Sequence, residues 1–244
     1  MDIFRITLIG LFAGVVGTGL GSLISIILFR PTSIMISSVL GFAGGIMISI
    51  VCFDLIPEAL EIGGIFYGIT GMLIGVAVMA LLDQLLPHAH FIEDNDYNKY
   101  VRTGILLGIG IAMHNLPEGL AIGAGYAHSS RLGFGLALII ALHNMPEGIA
   151  MSAPMYIGGV SPIKVIFTSL MAGAPMGLGA YIGVKLGIIS EPILALSLGF
   201  AGGAMLYISF DELIPESHKM SNGHSATFSC VIGVIVGILM SLYI

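Results

Sequence analysis

Apolar residues fill this chain in long runs that are separated by short polar segments. An α-helix needs about 20 predominantly apolar residues to cross a bilayer, and these runs reach that length. The strands of a membrane β-barrel would instead show segments of about 10 residues that alternate between apolar and polar positions. The pattern therefore predicts an all-α integral membrane protein with eight transmembrane helices, at about residues 4–29, 33–60, 64–86, 100–125, 131–157, 161–187, 192–217 and 222–243.

Composition indicates the same environment. The chain has 57% hydrophobic and 9% charged residues, with a mean hydropathy of +1.05. A water-soluble domain carries roughly 25% charged residues, so that class of protein is excluded. Both cysteines, Cys52 and Cys230, lie inside apolar runs and form neither a disulfide framework nor a CxxC metal motif. We expect a single membrane domain over residues 1–244 that is surrounded by the lipid bilayer.

Basic residues near the ends of the predicted helices indicate the orientation. Five lie on the side of the connections that follow odd-numbered helices: Arg30, Lys99, Arg102, Lys164 and Lys219. Three lie on the other side: Arg5, Arg131 and Lys185. Because cytoplasmic loops are enriched in Lys and Arg, this distribution favours a cell-membrane protein (inner or plasma membrane) with both termini outside. The largest polar segment, residues 87–99, is then a cytoplasmic loop.

A sequence repeat divides the chain into related parts. Residues 40–58 align without a gap on residues 198–216, with twelve identities in nineteen positions. Because these segments belong to the second and seventh helices, they run in opposite directions through the membrane. We expect a 3+2+3 inverted-repeat arrangement, with the repeats at about 4–86 and 161–243 and a central helix pair at about 100–157. Secondary transporters often have this symmetry, with substrate sites near mid-membrane.

The central pair carries one polar motif twice, as HNLPEG at residues 114–119 and HNMPEG at residues 143–148. Ionisable side chains at mid-membrane are costly unless they face the bundle interior and have partners there. The i, i+4 spacing places each histidine and glutamate on one helix face, with each asparagine beside it. One such motif would also fit an interhelical hydrogen bond, but its duplication on antiparallel helices favours a nitrogen-and-oxygen metal site for an ion such as Zn²⁺ or Fe²⁺. The candidate ligands are His114, Asn115, Glu118, His143, Asn144 and Glu147.

Two further carboxylate pairs occupy equivalent positions of the repeat. Asp54 and Glu58 end the second predicted helix, and each has a counterpart at the end of the seventh helix, namely Glu212 and Glu216. Inverted topology puts the two pairs at opposite membrane faces. Ordinary solvation of helix ends would also explain carboxylates here, but the surrounding pattern, DLIPE and ELIPE, recurs with them. We predict that the pairs line the mouths of a cation pathway, with Asp54 and Glu58 at the outer mouth.

The duplicated HNxPEG motif, the eight apolar runs and the inverted repeat resemble the ZIP family of divalent metal transporters, most closely its prokaryotic zinc-uptake branch. The resemblance covers essentially the whole chain and implies metal movement into the cytoplasm and a homodimer. The transport site that it implies consists of His114, Glu118, His143 and Glu147. A second metal position, bridged by the two glutamates, would adjoin this site at Asn115 and Asn144.

One position departs from the pattern of that family. Similar bacterial proteins carry a glutamate in the sixth helix that completes the second metal position, whereas GAPMGLGA, residues 173–180, has Met176 there. A thioether is a weak ligand for Zn²⁺ and brings no negative charge. We therefore expect one strong metal site and a weak or absent second one. Met176 is either a soft neighbour of that second position or a packing residue between helices.

The function predicted from these features is transmembrane transport of divalent cations by alternating access. Zinc is the expected substrate, and the ligand types also suit iron, manganese and cadmium. Two alternatives stay open at this point: a membrane-embedded zinc hydrolase, although the HExxH motif is absent, and a metal-selective channel. We expect no catalytic residues, no prosthetic group and no nucleic-acid partner. Because metal ligands must be deprotonated, acid is expected to weaken binding.

Overall fold

A computed structural model of the chain describes residues 2–27, 32–85, 96–221 and 223–243. Within these ranges the secondary structure is helical and contains no strand, which confirms the predicted all-α class. Helices suit this sequence because an apolar segment in lipid must pair all of its backbone N–H and C=O groups internally.

Ten α-helices follow one another along the described part of the chain. They are α1 (Ile3–Ile27), α2 (Ser33–Ile50), α3 (Ile56–Leu85), α4 (Asp96–His128), α5 (Ser130–Ile157), α6 (Pro162–Gly173), α7 (Pro175–Gly187), α8 (Glu191–Ile208), α9 (Ile214–Lys219) and α10 (Ser225–Tyr243). A single residue, Ser129, separates α4 from α5, and its hydroxyl oxygen accepts a hydrogen bond from the backbone N–H of Leu132 at 3.1 Å. This N-cap satisfies one of the free N–H groups at the start of α5.

Seven helical stretches within the described residues are long and apolar enough to cross a membrane. They are Ile3–Ile27, Ser33–Leu82, Tyr100–His128, Ser130–Ile157, Pro162–Gly187, Glu191–Lys219 and Ser225–Leu242. The second stretch has 50 residues, which corresponds to about 75 Å of helix against a hydrocarbon thickness of about 30 Å. Gly64 interrupts it with a φ of 71°, a conformation that favours glycine. This stretch contains both the second and the third predicted helices, so the count of eight stays a prediction.

Helix α4 begins earlier than the sequence indicated. Its first residue is Asp96, within the segment predicted as a loop at residues 87–99. A helix does not have to end where the hydrocarbon core ends, so the polar residues at its start can extend it. The preceding part of that loop, residues 87–95, lies outside the described residues.

The helices pack as two groups. One group consists of α2, α3 and α8 to α10, in which α3 packs along α8 and α2 packs along α10. The other consists of α1 and α4 to α7, in which α4 packs along α5 and α7, and α1 along α5. The main contacts between the groups are those of α4 with α8 and of α2 with α5. The sequence repeat relates α2 to α8 and α3 to α10, and the shared motif relates α4 to α5. The α4–α8 contact is therefore the counterpart of the α2–α5 contact, and the α3–α8 contact is the counterpart of the α2–α10 contact.

Glycines let the helices of the first group touch backbone to backbone. A Cβ atom on Gly203 would collide with the carbonyl oxygen of Met72, and one on Gly45 would collide with that of Cys230. Gly203 lies 158 positions after Gly45, and Cys230 lies 158 positions after Met72, which is the offset of the sequence repeat. The same close approach, which small residues allow in membrane helices, therefore occurs at positions related by that offset.

Two π-helical turns continue the ends of α2 and α8. They span Val51–Leu55 and Ser209–Leu213, which are again 158 residues apart. Asp54 is the fourth residue of the first turn and Glu212 the fourth residue of the second. Single π-helical turns within α-helices are frequent at functional sites, and here each contains a carboxylate that the sequence predicted at a pathway mouth.

Candidate metal site

The duplicated motif lies near the middle of α4 and α5, in the interior of the helix bundle. His114 is 3% exposed, and the other five candidate ligands have no exposed surface. Glycines that follow the glutamates bring neighbouring helices close: a Cβ on Gly119 would collide with the carbonyl oxygen of Met176, and one on Gly148 with that of Thr18. The candidate ligands therefore face the bundle interior. This placement is expected, because exposing ionisable side chains to lipid is energetically unfavourable.

Three side chains of the motif converge on one another. Nε2 of His143 lies 3.0 Å from Oε1 of Glu118 and 3.9 Å from Oε1 of Glu147. One ligand atom from each residue lies within 4.8 Å of those of the other two, and all three side chains are fully buried. Zinc ligands lie about 2.0–2.2 Å from the ion, so neighbouring ligand atoms are about 3–4 Å apart. Glu118, His143 and Glu147, here called the buried triad, have the chemistry and spacing of a metal site.

Several polar atoms of the buried triad have no hydrogen-bond partner. They are Oε2 of Glu118, Nδ1 of His143 and both carboxylate oxygens of Glu147. Buried polar atoms in proteins are nearly always paired, and an uncompensated buried carboxylate is especially unfavourable. A divalent cation would supply both the positive charge and the coordination that these oxygen atoms lack.

His114 contacts a carboxylate from a different helix. Its Nε2 lies 3.0 Å from Oε1 of Glu212, in the π-helical turn that follows α8. The side chain of Glu212 is 31% exposed, whereas His114 is buried, so this pair connects the motif with the surface of the bundle. Glu212, which the sequence predicted at a mouth, thus contacts a candidate ligand directly, and His114 is not part of the buried triad.

The two asparagines are held by hydrogen bonds. Nδ2 of Asn115 donates to the carbonyl oxygens of Ile111 and Ala172 at 2.9 and 3.0 Å. Nδ2 of Asn144 donates to Oδ1 of Asn115 at 3.2 Å and lies 4.0 Å from Sδ of the fully buried Met176. Because Oδ1 of Asn115 already accepts this bond, the asparagine pair offers a second metal one unpartnered oxygen, Oδ1 of Asn144.

The carboxylates Asp54 and Glu58 lie near the far end of α4. Oε1 of Glu58 is 2.6 Å from Nε2 of His128, and Oδ1 of Asp54 accepts a hydrogen bond from the hydroxyl of Ser241 at 2.7 Å. His128 follows His114 by fourteen residues, which corresponds to about 21 Å along the helix. These carboxylates are therefore well separated from the point at which Glu212 contacts α4.

A cavity of about 240 Å³ lies beside these carboxylates. Asp54 and Glu58 line it together with Arg131, Leu136 and Ile139, which lie in α5 before the second motif. Ile139 is one helical turn before His143 and is 2% exposed. The cavity therefore approaches the buried triad along α5 and ends at apolar side chains.

Glu216 differs from the other predicted mouth residues. Its Oε2 lies 3.3 Å from Nζ of Lys219, within the same short helix α9. An ion pair of this kind at a helix end contributes little and is screened by solvent. The contact fits helix-end solvation, the alternative that the sequence left open for this residue.

Sequence-based prediction missed two residues, His128 and Ser241. Both contact the predicted mouth carboxylates from distant parts of the chain, and such long-range contacts have no local pattern. The spacing of fourteen residues between His114 and His128 was the available signal, because four helical turns span 14.4 residues and place both side chains on one face of α4.

Known proteins resemble the chain over most of its length. The profile of a family described as ZIP Zinc transporter matches residues 87–244. A protein named zinc transporter ZupT from Akkermansia muciniphila is 32% identical, over 91% of this chain and 90% of its own length. Proteins of the same name from Chlorobium chlorochromatii and Salmonella paratyphi A are 35% and 33% identical, over 93% and 94% of this chain and 92% and 89% of their own lengths.

Proposed function

Because this chain belongs to the ZIP zinc transporter family, it is a transporter of divalent metal rather than an enzyme, and we propose that it carries zinc through the buried triad. The membership decides against the embedded hydrolase that the sequence alone left open. It also agrees with the multi-pass character of the seven apolar helices. Zinc, iron, manganese and cadmium share a preference for nitrogen and oxygen ligands, so the proposal extends to competition among these ions.

The unpartnered carboxylates of the buried triad carry this proposal. Two glutamates and a histidine without exposed surface form a strongly polar cluster in the interior of a mostly apolar bundle. Such an arrangement is unfavourable unless a cation occupies it for part of the time. A single zinc ion would bind Nε2 of His143 and one oxygen from each glutamate, which leaves a fourth tetrahedral position open.

His114 is the proposed fourth ligand. It lies on the same face of α4 as Glu118, four residues earlier, and its Nδ1 is buried and unpartnered. In the present conformation Glu212 holds its Nε2. We infer that release from Glu212 lets His114 complete the coordination of the ion.

A single ion at a time is the proposed occupancy. The second position would use Asn115 and Asn144, but their mutual hydrogen bond occupies one of the two amide oxygens. Met176 beside Asn144 offers a thioether and no charge. Asn115 and Asn144 therefore act mainly as an interhelical clamp next to the ion.

The pairing of the helices supports an inverted repeat with eight membrane spans. Dividing the 50-residue apolar stretch at Gly64 gives two antiparallel spans. The helix contacts, the glycine contacts and the π-helical turns then each occur twice, at positions related by the sequence repeat. Inverted-repeat carriers work by alternating access around a central site. In this mechanism, the group of α1 and α4 to α7, which holds the site, moves against the other group.

The orientation, the direction of transport and the oligomeric state complete the proposal. Basic residues favour both termini outside and the 87–99 segment in the cytoplasm, so that Asp54 and Glu58 face the outside and uptake is directed inwards. The resemblance to the family implies a homodimer in the cell membrane.

Uptake of labelled zinc into liposomes that contain the purified protein tests the proposal. We expect saturable uptake that iron, manganese and cadmium reduce by competition, and at least a tenfold loss in Glu147→Ala. Glu191→Ala, which changes an exposed carboxylate at the start of α8, is the matched control and should transport normally. Normal uptake by Glu147→Ala would refute the site, and uptake that rises linearly with zinc concentration would favour a channel.

A further inference from the structure

The two halves of the site make different contacts in this conformation. His114 is paired with Glu212 where α4 crosses α8. The repeat counterparts of these residues are His143 and Asp54, where α5 crosses α2. They are not paired, because His143 contacts Glu118 instead. Equivalent positions thus differ in their partners, although the histidine and a carboxylate are present on both sides.

Asp54 has the local setting that Glu212 has. Each carboxylate is the fourth residue of a π-helical turn, and each turn follows a helix that packs against a motif-bearing helix. Oδ1 of Asp54 accepts the hydrogen bond from Ser241, and its Oδ2 is buried without a partner. Asp54 is therefore held by one side-chain hydrogen bond and has an unused acceptor.

We propose that Glu212 and Asp54 are alternating partners of the two site histidines, an inference that rests on the proposed transport function. In the present conformation Glu212 holds His114 and links it to the face on which Glu212 is partly exposed. In the opposite-facing conformation the two repeats exchange their arrangements. Asp54 then leaves Ser241 and holds His143, while Glu212 releases His114.

This exchange assigns a positioning role to both carboxylates. In each conformation one histidine is held by a mouth carboxylate and the other contacts a motif glutamate. The counterpart of the present contact between His143 and Glu118 is a contact between His114 and Glu147. In either conformation, one histidine therefore links the buried triad to a partly exposed carboxylate at one membrane face.

A cysteine at Ile139 reports the population of the opposite-facing conformation. Ile139 is buried at the end of the cavity beside Asp54, and this side has to open if the cavity is to reach His143. The experiment uses Ile139→Cys in a background with Cys52→Ser and Cys230→Ser. The rate of alkylation by a hydrophilic maleimide is measured on the zinc-free protein in detergent, where both faces are accessible.

Opposite effects of two substitutions are the expected result. Asp54→Asn slows alkylation because it destabilises the opposite-facing conformation, whereas Glu212→Gln accelerates it because it destabilises the present one. A hydrogen bond to a charged group is strong enough to change each rate about tenfold. Asp54→Glu keeps the carboxylate and should alkylate at least as fast as the parent. Glu61→Gln, an exposed change in α3, is the matched control and should leave the rate unchanged.

Changes in the same direction, or an unchanged rate in either variant, would overturn the alternating roles. If Ile139→Cys does not fold, Leu136→Cys lines the same cavity and serves as the reporter. The transport function fails by a separate result, which is normal zinc uptake by Glu147→Ala. The two conclusions can therefore fail independently.

Discussion

Glu147 has the least satisfied carboxylate of the buried triad. Its carboxylate is fully buried, neither oxygen has a hydrogen-bond partner, and Nε2 of His143 lies 3.9 Å from Oε1. Glu118 adds a second buried carboxylate next to the same imidazole. The stability of the empty protein is thus reduced at the place where the ion is expected to bind.

Replacing Glu147 by glutamine should change stability in opposite directions with and without zinc. Without metal, we expect Glu147→Gln to be more stable than the parent, because it removes one of two buried carboxylates that repel each other beside a single imidazole. With zinc at 100 times its Kd, the parent gains about 2.7 kcal/mol and the variant gains much less. Thermal unfolding with zinc and with a chelator measures both effects. An equal response of the two proteins to zinc would count against Glu147 as a ligand.

Met176 offers a gain-of-function prediction. Met176→Glu places a carboxylate beside Asn144, where the thioether sulfur now lies 4.0 Å from the amide nitrogen. We expect the number of bound zinc ions per chain to rise from one to two, because a charged oxygen ligand replaces a weak neutral one. Elemental analysis after equilibrium dialysis measures the ratio, and Met176→Gln is the uncharged control. A ratio that stays at one would show that the asparagine clamp prevents a second site.

Sequence patterns predicted the buried triad but not the partner of His114. The i, i+4 spacing within each motif and the antiparallel pair were sufficient to bring Glu118, His143 and Glu147 together. The contact between His114 and Glu212 depends on a π-helical turn, in which one extra residue changes the direction of every side chain that follows. No residue type signals such a turn, so the face on which Glu212 lies could not be predicted.

At the scale of helices, backbone contact through glycine determines how closely the elements approach. Neighbouring glycines in α8 show the distinction: a Cβ on Gly203 would collide with the backbone of α3, whereas one on Gly202 would lie 3.4 Å from the nearest side-chain atom. Small residues at such contacts are a principal means by which membrane helices associate. Their positions within long glycine-rich runs predicted that contacts exist but not which helices make them.

Alanine substitutions at these two glycines should differ in their effect on stability. Gly203→Ala is expected to destabilise the protein by about 1–3 kcal/mol, because the methyl group overpacks the α3–α8 contact. Gly202→Ala has room and should be neutral or more stable by up to about 1 kcal/mol, because alanine favours a helix. Thermal unfolding in the same detergent compares them. Equal melting temperatures would mean that α3 and α8 are not in backbone contact.

At the scale of the whole molecule, two groups of helices meet along α4–α8 and α2–α5, and the motif-bearing helices belong to only one group. The repeat in the sequence relates α2 to α8 and leaves α4 and α5 as a central pair, but it did not predict this division, because each repeat contributes helices to both groups. Which helices join the central pair could not be predicted, because it depends on packing between distant segments.

The central claim is that the buried triad binds the transported ion. Anomalous difference density, measured at the zinc absorption edge from crystals of the zinc-loaded protein, tests it most directly. We expect the strongest peak about 2.0–2.2 Å from Nε2 of His143 and from one carboxylate oxygen of both Glu118 and Glu147. A strongest peak beside Glu58 and His128, with no density between α4 and α5, would contradict the claim.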